Sequence, residues 1–244
     1  MKKAKKVFSC IIAAALCVLS MLSVVPSASA LSKPKAPKSV KYISDYAVQE
    51  HCLTFKPSSG GATGYHVQVV NASGKVTSNQ YYKSTRKDKV FYKLGDEYVV
   101  WCNNNFNKYI SNGQFYTVKV RAFNASNYKS GKPSSAKYSG FASTYAAETV
   151  TGAKAQRVKS PKGIKFSWNK TKGATGYELR FMSLDKKDVY ETHKVKSTSA
   201  TFTRISGVYL DRVKTVHLQI IPVKVSGKKT YMGAVWKYFK LNVK

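Results

Sequence analysis

From Tyr65 to Val69 apolar and polar residues alternate, with Tyr65, Val67 and Val69 in one set and His66 and Gln68 in the other. Tyr177, Leu179 and Phe181 alternate in the same way with Glu178 and Arg180. Further on, Tyr116, Val118, Val120 and Ala122 oppose Thr117, Lys119 and Arg121, and Val216, Leu218 and Ile220 oppose His217 and Gln219. A period of two is that of a strand with one buried face. It predicts four strands and places His66 and His217 on solvated sheet faces. Pro222 interrupts the last of them and predicts an edge position or a bulge, because proline cannot donate to a ladder. Past residue 30 no helical stripe stands out, and turn signals such as Asn71-Ala-Ser-Gly74 and Ser226-Gly227-Lys228 fall between the alternating runs.

The pattern is duplicated. Gly61-Ala62-Thr63-Gly64-Tyr65 returns as Gly173-Ala174-Thr175-Gly176-Tyr177, and each copy follows an aromatic residue, Phe55 in one half and Trp168 in the other. An exact pentapeptide in matching context marks an internal structural repeat. Short strands, turn signals and a repeat of this length predict an all-β protein of two antiparallel β-sandwiches.

These residues resemble a known family. Trp168 ahead of Gly173-Ala-Thr-Gly-Tyr177 is similar to the second strand, loop and third strand of a fibronectin type III domain, as found in bacterial secreted proteins. Tyr116-Thr-Val118-Lys-Val120-Arg-Ala122 resembles that family's sixth strand with its tyrosine corner. The resemblance implies two tandem fibronectin type III-like domains, residues 37–144 and 145–244, preceded by a basic Pro/Lys linker at 31–36. Three departures stand out. Phe55 takes the tryptophan place in the first unit, Val216 takes the tyrosine place in the second, and an insertion near 96–113 precedes Tyr116. In the resembled sandwich the insertion lies at the same end as the start of the second strand, which implies a disulfide between Cys52 and Cys102. The alternative is two buried thiols.

Residues 1–30 carry Lys2, Lys3, Lys5 and Lys6, an apolar run from Val7 to about Val25, and Ala28-Ser29-Ala30. This is the layout of a cleaved secretory signal peptide, with an uncleaved anchor as the alternative. Cleavage removes Cys10 and Cys17 and leaves the Cys52–Cys102 pair in an oxidising compartment, where a disulfide is the usual use of two cysteines.

Charge narrows the partners. The 244 residues carry 42 Lys and Arg against 11 Asp and Glu, a net charge of +31, most of which remains after cleavage and is divided between both units. Only six of the basic residues are Arg, the side chain that reads base edges bidentately, which argues against sequence-specific nucleic-acid recognition. With 43% hydrophobic residues, the chain has the material for a core and is not a disordered polycation.

No chemistry-bearing motif emerges. The four His lack metal-site spacing, Asp96-Glu97 and the Asp185, Asp188 pair read as turn residues, and there is no nucleophile elbow or phosphate loop. Neither an enzyme nor a cofactor is expected. The candidate contacts combine Lys with aromatics: Tyr81, Tyr82 and Lys83 with Arg86, Lys87 and Lys89; the loop Tyr128-Lys129-Ser-Gly131-Lys132; the loop Gly227-Lys228-Lys229-Thr-Tyr231; and Trp101 with the Asn-rich insertion, which packing of the loop on itself would equally explain. Such surfaces neutralise anions and stack on rings. The expectation is a secreted, cell-surface or wall-associated binding protein. Its expected partner is an anionic polymer (teichoic acid, glycosaminoglycan or extracellular DNA). The alternatives are a spacer contacting another protein and a carbohydrate-binding module.

Overall fold

The computed structural model describes residues 31–45, 50–87, 90–100, 109–183, 188–235 and 238–244. Residues 1–30, where a signal peptide is expected, and Lys89, Trp101 and Cys102 lie outside them. The first sandwich begins with β1 (Lys38–Asp45), β2 (Glu50–Lys56), β3 (Gly64–Val70) and β4 (Val76–Lys83). It continues through β5 (Phe91–Leu94), β6 (Glu97–Val100) and β7 (Phe115–Asn124). A small hairpin of β8 (Asn127–Lys129) and β9 (Lys132–Ser134) follows, then β10 (Lys137–Tyr138) and β11 (Ala142–Ala147). One sheet has the order β1-β2-β6-β5; in the other β7 pairs with β3, which pairs with β4, while β10 and β11 share the far edge of β7. All these neighbours are antiparallel.

The second sandwich repeats the plan with β12 (Lys154–Lys159), β13 (Lys162–Ser167), β14 (Gly176–Met182), β15 (Val189–Val195) and β16 (Ser199–Phe202). A short hairpin, β17 (Arg204–Ile205) and β18 (Val208–Tyr209), leads through one 3₁₀ turn to β19 (Thr215–Ser226), β20 (Lys229–Met232) and β21 (Phe239–Asn242). The sheets run β12-β13-β16 and β15-β14-β19, with β20 and β21 flanking successive lengths of β19. The alternating residues form the two cores: Phe55, Tyr65, Val67, Val69, Val118 and Val120 in one, and Phe166, Trp168, Tyr177, Leu179, Leu218 and Ile220 in the other. Phe55 packs on Tyr65 at 4.9 Å as Trp168 packs on Tyr177 at 5.3 Å, so the smaller ring fills the tryptophan place. The Tyr116 hydroxyl accepts the Ser111 N–H at 3.3 Å, the bond of a tyrosine corner.

Two expectations need correction. His66 and His217 are 1% and 8% exposed, where alternation predicted solvated faces. The outer face of the β4-β3-β7 sheet carries a second aromatic layer, in which Tyr81 stacks on His66 at 4.3 Å and Phe141 lies 5.7 Å away. His217 is covered by Tyr238 at 6.0 Å and lies 3.4 Å from the Ser183 carbonyl. Periodicity separates the two faces of a strand but does not report what covers the second one. Pro222 also stands inside the central strand β19, opposite Tyr177. It is tolerated there because β20 pairs from Val223 onward and β21 only up to Leu218, so the missing N–H falls in the gap between the two flanking strands.

The repeated pentapeptide has one structural role in both copies. Gly61 and Gly173 have positive φ, 69° and 84°, which turns the chain into β3 and β14. The N–H of Thr63 donates to Phe123 O at 3.0 Å and its hydroxyl accepts from Ala125 N at 2.9 Å. Thr175 does the same with Val223 O at 2.8 Å and Val225 N at 2.9 Å. Tyr65 and Tyr177 each turn a hydroxyl back to accept the N–H of the preceding loop, from Ser58 at 3.1 Å and Thr171 at 2.9 Å. The pentapeptide therefore clamps the start of one strand to its neighbour and closes the end of the core.

The two sandwiches meet through backbone. Phe115 N donates to Lys172 O at 2.9 Å and Lys172 N to Gly113 O at 2.8 Å, an isolated parallel bridge. Ala234 N donates to Ala147 O at 2.8 Å, and Val235 N to the Ser44 hydroxyl at 2.9 Å.

Candidate polyanion-binding surface

Strand β4 splits the first cluster by alternation. Tyr82 turns inward, 2% exposed, and stacks on Phe91 at 4.9 Å, so it is removed from the candidate contacts. Tyr81 turns to the outer face, but it lies half-buried in the aromatic layer rather than free in solvent. Lys83 is the last residue of β4 and is exposed, as are Arg86 and Lys87 in the turn that follows. The Lys83 ammonium stands 4.4 Å from the Tyr128 ring centroid. Two segments separated by more than forty residues thus form one surface. The Tyr128 hydroxyl donates to Thr63 O at 3.0 Å and its ring packs 6.0 Å from Phe123, which holds the β8–β9 hairpin against the sheet. Lys129 and Lys132 project from that hairpin, both exposed. The Tyr128 ring fixes Lys83, with Lys129 and Lys132 exposed on the same hairpin as the ring and Lys87 exposed just past β4, while Arg86 stands 5.5 Å from the Tyr82 ring centroid.

Beneath this surface lies an arrangement that alternation did not signal. Arg121 Nε donates to His66 Nδ1 at 2.9 Å, leaving His66 Nε2 to donate to Asn79 Oδ1 at 2.6 Å. The guanidinium sits 3.9 Å from the Tyr138 centroid and 4.6 Å from that of Phe141. Burial first, and the neighbouring Arg121 charge, hold the His66 imidazole below its ordinary pKa, against the opposing pull of Asn79. The signal available in sequence was the coincidence of His66, Tyr81 and Arg121 on one side of three strands. It becomes readable only once the registers His66↔Tyr81 and His66↔Arg121 are known.

The other candidates fall elsewhere. Lys228 and Lys229 are exposed in the β19–β20 turn, while Tyr231 sits at the junction of the sandwiches, its ring 4.8 Å from that of Tyr145. There a cleft of about 750 Å³ is lined by Lys41, Tyr42, Tyr145, Arg180, Lys229 and Tyr231 among others. Asp96 occupies the β5–β6 turn while Glu97, expected there too, opens β6; they pair with Lys56 at 2.6 Å and Lys41 at 3.5 Å. Cys52 is half-buried on β2, but its proposed partner falls outside the described residues. Among the described residues no group of three or more His, Cys, Asp or Glu is placed to hold a metal ion.

Each half packs a smaller sheet, of four strands in the first and three in the second, with a five-stranded one, and in both the central pairing is the same, β3 with β7 and β14 with β19. The chain resembles tandem fibronectin type III domains. Among solved structures it is similar to a two-domain fibronectin type III segment of chicken tenascin, at 10% identity over 84% of this chain and 97% of that one, with a TM-score of 0.27. It is also similar to the FN1-FN3 domains of chicken CNTN1, at 20% identity over 87% of this chain and 67% of that one, again with a TM-score of 0.27. No family model and no curated protein matches the chain. At these values it is the strand order, rather than the superposition, that carries the fold.

Proposed function

We propose that the protein is an exported, non-enzymatic binding protein that attaches to anionic polymers of a cell wall or extracellular matrix through its lysine-rich surface. The observation that supports this most is the meeting of Lys83 with Tyr128, which joins the basic segment that ends β4, with Arg86 and Lys87, to the basic hairpin that carries Lys129 and Lys132. The charge of +31 supplies long-range attraction, and the rigid hairpin supplies a place where it acts at contact distance. Retention of the chain from residue 31 onward on immobilised heparin tests the reading. Affinity should fall steeply with salt, and Lys83→Gln/Lys87→Gln/Lys129→Gln/Lys132→Gln should flatten the log–log slope by about 3. Retention indifferent to salt would reject the proposal.

The second reading, an accessory protein that contacts another protein, is favoured by one feature. Val189, Tyr190, Val208 and Tyr209 are 46–62% exposed on β15 and the adjoining β17–β18 hairpin. Capture of a stoichiometric protein partner lost on Tyr190→Ser/Tyr209→Ser would select that reading.

A further inference from the structure

The junction between the sandwiches carries a second basic site, separate from the surface around Tyr128. On the side of the junction that faces the β3–β4 turn, a groove of about 440 Å³ lies between the first and second sandwiches. Its cations are Lys119 from β7, Lys172 from the loop before β14, and Lys224 from β19, and no carboxylate lines it. Among the described residues none of the three forms an ion pair. Two of them are held in place. Lys172 is locked by its backbone through the paired bonds to Phe115 and Gly113. The Lys224 ammonium donates to Gly173 O at 3.2 Å and stands 4.8 Å from the Tyr145 ring centroid. The remaining lining is mixed: the Thr117 hydroxyl, the Asn71 amide and the backbone of Gly74 and Gly173 stand beside apolar Val70, Ala72 and Phe115 and the Tyr145 ring.

We infer that this groove binds a phosphate or sulfate ester carried on a saccharide or polyol chain. Three lysines lining one groove from two sandwiches, with no acid among the lining residues, suit a compact multivalent oxyanion. The hydroxyl and amide lining suits the hydroxyls of a polyol. Single-stranded nucleic acid is disfavoured, because such binding relies on open aromatic platforms. Here Phe115 is 3% exposed and the Tyr145 ring is already occupied by Lys224 and Tyr231. The copy of the pentapeptide loop in the first sandwich has no such role, since nothing lies within 4 Å of where a Cβ would stand on Gly60 or Gly61, whereas Gly173 approaches Phe115. The site therefore belongs to the tandem arrangement and is absent from either sandwich alone.

The test uses the chain from residue 31 onward, titrated calorimetrically at 150 mM salt with four probes: sulfated maltohexaose, unsulfated maltohexaose, a glycerol phosphate hexamer and oligo-dT of six nucleotides. Sulfated maltohexaose or the glycerol phosphate hexamer should bind while unsulfated maltohexaose does not, and whichever of the two binds more tightly identifies the source of the ester. Lys119→Gln/Lys172→Gln/Lys224→Gln should weaken that binding about 10- to 100-fold with an unchanged melting temperature. The Lys83→Gln/Lys87→Gln/Lys129→Gln/Lys132→Gln variant, which removes more charge, should stay within about threefold of the parent, since long-range attraction is screened at this salt. The inference is overturned if the triple variant binds like the parent, if the quadruple variant weakens binding as much as the triple one, or if oligo-dT binds as tightly as the better ester probe. Because the triple variant leaves the Tyr128 surface intact, heparin retention by that surface can fail or succeed independently.

Discussion

The repeated glycine that opens β3 and β14, Gly64 and Gly176, stands at the same strand position in two different environments, so substituting it should have two different costs. A Cβ on Gly64 would stand 2.4 Å from the Phe123 ring and 2.4 Å from the Tyr82 carbonyl oxygen, whereas on Gly176 it would meet only the Val195 carbonyl at 2.9 Å. Gly64→Ala therefore overlaps by about 1 Å with a backbone atom of the adjacent strand and with a fully buried ring, neither of which can rotate aside cheaply. Overpacking of this kind costs about 1–3 kcal/mol, offset by about 0.4–1 kcal/mol from the stiffer unfolded chain. Because two fixed groups are struck together, we expect the upper end, a net loss of about 2 kcal/mol or more for Gly64→Ala and about 0–1 kcal/mol for Gly176→Ala. For domains of this size that corresponds to falls in melting temperature of roughly 8–15 °C and under about 6 °C. Scanning calorimetry of the parent and both variants reads this directly. A Gly64→Ala protein melting within 2 °C of the parent (about 0.5 kcal/mol), or a Gly176→Ala protein melting below the Gly64→Ala protein, would refute the packing argument.

Other outcomes follow from the same structure. His66 is neutral in the fold at pH values where the unfolded chain already takes up a proton, so stability is full above about 6.5 and declines as pH falls below it; the melting advantage of the parent over His66→Gln should shrink between pH 7.5 and pH 5. Arg121→Ala removes the guanidinium between Tyr138 and Phe141 together with its bond to His66 and should cost about 1–3 kcal/mol in urea titration, while Arg121→Lys, with no planar fork, should recover less than half. Burial pushes the Tyr65 phenol up to about 12, so its contribution is present below about pH 10 and lost as pH rises through the folded value; Tyr65→Phe should unfold at higher pH than the parent when ellipticity is followed in base. The resemblance implies a Cys52–Cys102 disulfide, and Leu53, next to Cys52, registers with Val100, two positions before Cys102 in the sequence. Unreduced, denatured protein should accordingly take up no alkylating label, and reduction should cost up to about 4 kcal/mol; two labels before reduction would exclude the disulfide.

Much of the fold was legible from residues alone. Two-residue alternation placed Tyr65, Val67, Leu179 and Leu218 in the cores, and the pentapeptide revealed the duplication, because backbone pleat and strand-end geometry are local and leave local traces. The burial of His66 and His217 was not legible: each is polar on a face that alternation calls solvated, and only aromatic residues brought from other strands cover them. The same limit applies to the binding surfaces. Sequence identified Lys83 and Tyr128 as separate basic-aromatic segments, and their contact depends on a hairpin folding back across β3 and β4. Lys119, Lys172 and Lys224 carried no signal at all, since lysines are scattered along this chain and nothing in their neighbours distinguishes them. Composition determined that the molecule is strongly basic and period determined that it is built of strands. Where the charge converges was decided by tertiary structure, because convergence is a property of distances between residues far apart in the chain, set by register and by the docking of one sandwich on the other.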